Sequence, residues 1–250
     1  MKIAVLQIVA SSGKTLSAVD VLYPRMPDCE IITVDTANRS AVYFGIDSNV
    51  YTSSDFKDVY RDLVLADNAI LDVGGAKEAE DFLREMNWGS GHDEIDYFVI
   101  PSKPDNKDQE GAIKTINVLL AQGIEKEKIK VIFTAVERDT AKEYDMLLGT
   151  LTALGIPFTL EATIFKNRVF DILAEKAKTV KSMLNDKTDY KVLIKASNDS
   201  GEIDDLSALM YAQKTAPKID ENLERVFYAL FPKKAEKPAK STPAVAAAKE

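Results

Sequence analysis

The chain has 250 residues, 46% of them apolar and 29% charged, enough to bury one large α/β core with room for an appendage. One cysteine (Cys29) and one histidine (His92) exclude a Cys/His zinc cluster, a disulfide framework and a dithiol redox site. A Ser-His-Asp triad would have to use His92, which sits in the polar string Gly89-Ser90-Gly91-His92-Asp93-Glu94 and reads as an exposed loop residue. The net charge of -8 gives no overall attraction for nucleic acid, so contact with DNA would need a local basic patch or a partner. No apolar run approaches the ~20 residues that span a bilayer. The single cysteine points to a cytoplasmic setting.

Strand and helix periods alternate along most of the chain. Residues 3–9 form a continuous apolar run, expected of a parallel strand covered on both faces rather than of a cleaved leader. Residues 30–35 predict a second strand, 69–73 a third ending in Gly74-Gly75, 97–100 a fourth stopping at Pro101, 130–135 a fifth and 156–160 a sixth. Between them, Phe56, Val59, Tyr60, Leu63 and Val64 repeat at helical spacing over 55–65. Ile113, Ile116, Leu119 and Leu120 do so over 110–121. Such alternation predicts an α/β fold, a mostly parallel sheet with helices on both faces.

After about residue 186 the pattern changes. Residues 185–200 read as polar and turn-rich around one short strand candidate, 191–194. Residues 217–231 predict an amphipathic helix with Ile219, Leu223, Val226, Phe227, Leu230 and Phe231 on one face; packing on the chain's own sheet, docking on a partner or second copy and insertion into a membrane surface are the competing readings, and docking on a protein is the one expected. Residues 232–250, with five Lys against two Glu and no apolar period, predict a disordered basic tail. The organisation expected is therefore a nucleotide-binding domain over 1–186, an extension over 187–231 and the tail.

Ligands of parallel α/β sheets bind at the carboxyl ends of the strands, where helix N-termini aim backbone N–H groups outward. The first such turn is Val9-Ala10-Ser11-Ser12-Gly13-Lys14-Thr15-Leu16. Gly13-Lys14-Thr15 is the second half of a phosphate-binding loop: the Gly lets backbone close on phosphate, the Lys reaches the β/γ oxygens, and the Thr hydroxyl ligates Mg²⁺. The tripeptide alone would arise in roughly a tenth of chains this long; its place between an apolar strand and a helix start gives it weight. Ser11, Ser12, Gly13, Lys14, Thr15 and Leu16 are the candidate phosphate cradle. The full pattern has Gly at position 8, where this chain has Ile8. Ala69-Ile70-Leu71-Asp72 followed by Val73-Gly74 is the expected second half, four hydrophobes and then an acid for the metal's water shell, with the Gly74 N–H able to meet a γ-phosphate. Asp35 closes the second strand and would face the same cleft.

With these features the chain resembles the ParA/MinD-type P-loop ATPases, and within them the StbB-type plasmid stability proteins of conjugative plasmids. The resemblance covers roughly residues 1–180: residues 1–5, Gly13-Lys14-Thr15, Leu22-Tyr23-Pro24-Arg25-Met26-Pro27, the second strand with Asp35 and Asn38, Asp72-Val73-Gly74-Gly75 and Val99-Ile100-Pro101-Ser102. It implies an ATP- and Mg²⁺-dependent switch that positions plasmid DNA or membrane-bound cargo through nucleotide-controlled dimerisation. It also implies a homodimer or a complex with a plasmid-encoded DNA-binding protein. The chain departs from the family pattern at three places: positions 8–12 hold no signature Lys, Ala37 stands where a second acid orients water, and the fifth strand ends Thr134-Ala135 rather than in Asn.

The roles that follow are Lys14 with the Ser12 and Gly13 backbone on phosphates, Thr15 and Asp72 in the Mg²⁺ shell, and Asp35 on a metal-bound water, with Lys14, Asp35 and Asp72 as the catalytic set. A non-catalytic scaffold of the same fold is the alternative, and a metabolic P-loop enzyme the least supported reading. Direct DNA binding is expected to be weak, and a membrane role is the less favoured one.

Overall fold

A strand buried on both faces carries apolar side chains at consecutive positions, and residues 3–5, 31–34, 69–73 and 98–101 are all buried. The computed structural model describes residues 1–35, 41–89 and 91–232. Its seven strands are β1 (Lys2–Val5), β2 (Glu30–Val34), β3 (Ser48–Tyr51), β4 (Ala69–Val73), β5 (Tyr97–Ser102), β6 (Ile129–Val136) and β7 (Thr163–Phe165). They form one sheet in the order β3-β2-β4-β1-β5-β6-β7, parallel at every pairing. The register sets Val5 beside Asp72 and Val99, and Asp72 beside Thr33. The chain leaving β1 therefore enters the crevice between the carboxyl ends of β4 and β5.

The helices are α1 (Lys14–Leu16), α2 (Phe56–Leu65), α3 (Ala76–Gly89), α4 (Asn106–Ala121), α5 (Thr140–Glu143), α6 (Asp145–Leu154), α7 (Arg168–Glu175), α8 (Val180–Asn185), α9 (Tyr190–Ala196) and α10 (Ser200–Leu230). Helix α1 continues without a break through a π-helical stretch, Ser17–Leu22, and a 3₁₀ turn, Tyr23–Arg25. Helices α2, α3, α4 and α6 cover one face of the sheet. The π stretch with α7, α8, Tyr190 and α10 covers the other.

The expected helices over 55–65 and 110–121 are α2 and α4. Three expectations are corrected. The sixth strand lies at Thr163–Phe165 and not at 156–160: Gly155 ends α6 in a left-handed cap, Pro157 has no N–H to donate, and Phe158 and Leu160 are exposed. Residues 191–194 are helical, because the Asp189 carboxylate caps α9 at the Val192 N–H (3.2 Å) and Tyr190 and Ile194, four apart, face inward. The stripe on 217–231 is not open for docking. It belongs to the second half of the 31-residue α10, and Ile219, Leu223, Val226, Phe227 and Leu230 are buried against the chain's own sheet, in one cluster with Ile3 and Val5. Phe231 closes this layer, its ring 5.1 Å from that of Tyr97. The tail expected over 232–250 lies, apart from Pro232, outside the described residues.

Two contacts fasten α10 and α8 to the helix that starts at Lys14. Arg25 donates to the carbonyls of Asp20 (2.7 Å) and Val21 (3.1 Å) and pairs with the Asp220 carboxylate at 2.5 Å. The buried Asp20 accepts from the Val180 N–H at 2.8 Å. Burial pushes the Asp20 carboxyl up to about 7, despite that bond and the nearby Arg25. The Leu22–Pro27 segment thus acts as an anchor for α10. Because the α10 stripe is core, Leu223→Ala should cost about 2–5 kcal/mol of stability, read as a fall in the urea midpoint; a docking surface would show almost no change.

Candidate functional site

The strand hydrogen bonds of β1 end with the Leu6 N–H on the Val99 carbonyl (3.1 Å), and side chains then take over. Gln7, fully buried, donates its amide to the Asp108 carbonyl of α4 (3.1 Å) and accepts the Val9 N–H (3.2 Å). The Ile8 N–H goes to the Thr115 hydroxyl (3.2 Å). Ile8 itself sits in the core, and Val9 lies against Gly111, where a Cβ would meet the Val9 methyl at 2.3 Å. Gly111 on the facing helix thus leaves the room that Val9 occupies. The loop then turns through Ser11 (φ 63°) and Gly13 (φ 100°), both left-handed. Thr134 fixes the turn from β6, its hydroxyl lying 3.1 Å from the Ser12 carbonyl and 2.9 Å from that of Ser102.

Lys14 opens α1 and is buried, its ammonium donating to the carbonyls of Val9 (2.8 Å) and Gln7 (3.1 Å). Desolvation lowers its pKa, while Asp72, Asp108, Asp35 and Glu78 act in the opposite sense. Asp72 is buried on β4 and bonded to the Thr15 side chain. Burial pushes its carboxyl up to about 6, with Asp35 adding to the rise and Thr15 and Lys14 opposing it. Asp35 reaches into the same crevice over Gly74, where a Cβ would fall 2.2 Å from the Asp35 carboxyl carbon. Thr15, Asp35 and Asp72 are thus brought together around Lys14 as expected.

Gly74 differs from expectation: its N–H is used on the Val34 carbonyl (2.8 Å), so its contribution is the missing Cβ, not a donor into the cleft. Ser11 is exposed and Leu16 half-buried beside the π stretch. Ala37 and Asn38 lie outside the described residues. His92 is half-buried on the turn Gly91–Glu94, 3.1 Å from Asp93 and before the amino end of β5, away from this crevice.

The residues that sequence reasoning missed are Gln7, Asp108, Gly111 and Thr134. Gln7 was the one polar residue inside an apolar run, which is a usable signal; the others are recognisable only once α4 and β6 are placed beside the loop.

The arrangement fits a magnesium–phosphate ligand. Ser12 Oγ and Asp72 Oδ1 are buried without a hydrogen-bond partner, one suited to donate to a phosphate oxygen and the other to accept from a metal-bound water. Among the described residues, no group of three or more His, Cys, Asp or Glu could hold a metal unaided. A hydroxyl and two carboxylates instead suit Mg²⁺ held partly by its ligand's phosphates.

No protein-family model matches the chain, and no curated protein matches it by sequence. Solved structures do. The structure of apo McdA from Cyanothece aligns over 92% of this chain and 98% of its own, with a TM-score of 0.57 at 13% identity. A Cyanothece McdA variant in complex with ATP aligns over 87% and 96%, with 0.53 at 11%. The MinD cell division protein of Aquifex aeolicus aligns over 87% and 95%, with 0.55 at 11%. The chain has the ParA/MinD P-loop fold.

Two outcomes follow. Gly111→Ala should push Val9 outward and cost about 1–3 kcal/mol, visible as a lower urea midpoint together with faster hydrogen exchange in the loop after β1. Asp72 and Asp20 hold their protons to about 6 and 7, above the ordinary 3.8, so the folded state binds more protons than the unfolded one between about pH 4 and 7. Stability should therefore fall as pH rises through that window. The melting temperature of the ligand-free protein should be lower at the top of the window than at its middle, and Asp20→Asn should shrink the difference.

Proposed function

We propose that this chain is an ATP-binding, slowly hydrolysing switch of the ParA/MinD kind. The observation that carries this reading is the pair of unpartnered buried atoms, Ser12 Oγ and Asp72 Oδ1, beside a buried Lys14 at the carboxyl end of β1. Lys14 would exchange its carbonyl partners for β/γ phosphate oxygens. Ser11, Ser12, Gly13 and the first-turn amides through Leu16 would close on the phosphates. Thr15 and Asp72 would hold Mg²⁺, and Asp35 would orient a water in its shell. The bound metal would neutralise phosphate charge in a crevice that already contains four carboxylates around one ammonium. Asp72 must be ionised for this, so magnesium-dependent affinity should weaken below about pH 6, in the opposite sense to the stability of the ligand-free protein.

The biological setting we infer is plasmid stability, partition or conjugation, with the chain acting in the cytoplasm as a homodimer or with a plasmid-encoded DNA-binding protein. The Leu22-Tyr23-Pro24-Arg25-Met26-Pro27 stretch and the ParA/MinD fold support it.

Equilibrium binding of ATP and ADP with and without Mg²⁺ is the direct test. Lys14→Ala should weaken magnesium-dependent ATP binding by 1.5–3 kcal/mol, about 10- to 150-fold, through loss of a charge-assisted contact, with circular dichroism unchanged. With Ala37 in place of a second acid, kcat should lie well below the ~10 s⁻¹ of a median enzyme. Absence of magnesium-dependent affinity in the unaltered protein would leave the scaffold reading in its place.

A further inference from the structure

Four side-chain oxygens or nitrogens among the described residues are buried without a hydrogen-bond partner, and three of them, Ser12 Oγ, Asp72 Oδ1 and Asp108 Oδ1, lie around Lys14. The fourth, Gln122 Oε1, sits at the far end of α4. The ligand proposed above gives Ser12 and Asp72 their partners and leaves Asp108 with none. Asp108 stands in the first turn of α4 and is only 4% exposed. The face of α4 that carries it meets the start of the phosphate loop residue by residue. Thr115 accepts the Ile8 N–H, Gly111 makes room for Val9, and the Asp108 carbonyl accepts the Gln7 amide. The Asp108 N–H in turn donates to the Asp105 carboxylate that caps the helix (3.0 Å), so its backbone is held from both sides. Its carboxylate acts on the Lys14 ammonium more strongly than that of Asp35 does. Burial and Asp105 raise the Asp108 carboxyl, with Gln7 and Lys103 opposing.

Strands β4 and β5 flank β1 on opposite sides, so Asp108, on the helix after β5, reaches Lys14 from the flank away from Asp72 and Asp35. A carboxylate beside bound phosphate is repelled unless a hydrogen-bond donor stands between the two. The metal would be held on the other flank by Thr15 and Asp72, with Asp35 on its shell, so the donor left for Asp108 is a water. We propose that Asp108 Oδ1 accepts a hydrogen bond from the water that attacks the γ-phosphate and so fixes the place of that water. The inference rests on the ATP reading and gives it the carboxylate for which it had no role. As the water oxygen bonds to phosphorus, the bond from phosphorus to the β–γ bridging oxygen breaks, and its electron pair leaves with ADP. The proton shed by the water passes to the phosphate released.

The test compares the full chain with Asp108→Ala, which removes the acceptor, and Asp108→Asn, which keeps the shape and loses the charge. Three quantities are measured: magnesium-dependent ATP affinity, phosphate release in a single turnover, and affinity for magnesium–ADP with aluminium fluoride, which imitates the phosphoryl group in transfer together with its water. Asp108→Ala should release phosphate about 100-fold more slowly. It should bind the aluminium fluoride complex about tenfold or more weakly, through loss of a hydrogen bond to a charged acceptor. Its affinity for magnesium–ATP should be unchanged or higher, since a negative charge near the phosphates is gone. Asp108→Asn should lie between this variant and the unaltered chain in both losses. Asp105→Asn removes a neighbouring charge and still caps α4, so it should leave all three quantities unchanged. Phosphate release by Asp108→Ala at the unaltered rate would overturn the proposal. So would a fall in ATP affinity that matches the fall in release, which would make Asp108 a support of the loop and nothing more. ATP bound but never hydrolysed by the unaltered chain would overturn it while leaving the binding reading in place. Failure of that reading itself shows separately, as no magnesium-dependent ATP affinity in the unaltered chain, and removes both.

Discussion

The ammonium of Lys14 lies in a place that water barely reaches, and much of the molecule is arranged around compensating it. A buried cation is costly unless it is hydrogen-bonded and compensated. Here two loop carbonyls accept from it, and Asp72, Asp35, Asp108 and Glu78 supply opposing charge from β4, β2, α4 and α3. Those carbonyls are in position only because Gln7 binds the loop to α4, Gly111 leaves room for Val9, and Thr134 holds Ser12 from β6. The acids converge because the register of β1, β4 and β2 brings their carboxyl ends together. In the ligand-free protein the Asp72 carboxyl is raised, by burial first and by the neighbouring Asp35 second. A magnesium–phosphate ligand would place a divalent cation among the carboxylates and phosphate oxygens beside Lys14 and Ser12.

Asp20 and Asp72 are both carboxylates whose protons are held by burial, yet their surroundings differ. Asp20 has a backbone N–H and a nearby guanidinium and joins two helices. Asp72 keeps one oxygen without a partner and faces the crevice. The first is a structural joint, its Oδ1 bonded to the start of α8. The second leaves an oxygen unpartnered, as a site awaiting the proposed ligand would.

Elements with an unambiguous physical signature were legible in the chain alone. Apolar runs marked the central strands, and the period of α2 and α4 was plain. The positions of Lys14, Thr15, Asp35 and Asp72 followed from their places at strand ends. Elements whose apolar residues are few or shared were not. The edge strand β3 is half polar, since its outer side meets water, and so it lacks a run. Residues 191–194 look like a strand because Val192 and Leu193 are exposed rather than buried, a cost the pattern cannot reveal. The stripe on α10 was legible as a stripe, but the surface it covers was not, because that surface is built by residues some two hundred positions earlier. Position 8 is a similar case: an isoleucine in place of glycine reads as a defect until its side chain is seen buried in the core.

Arg25 and Asp220 are 195 residues apart in the chain, and α10 forms much of the layer that backs the helix after Lys14. At 5–20 residues per second, the ribosome delivers Asp220 roughly 10–40 s after Arg25. Throughout that interval Val19, Leu22 and the inner face of β1 have no α10 to pack on. The helix after Lys14 is thus without its backing layer until α10 emerges, and the packing that holds it is completed long after its own residues are made.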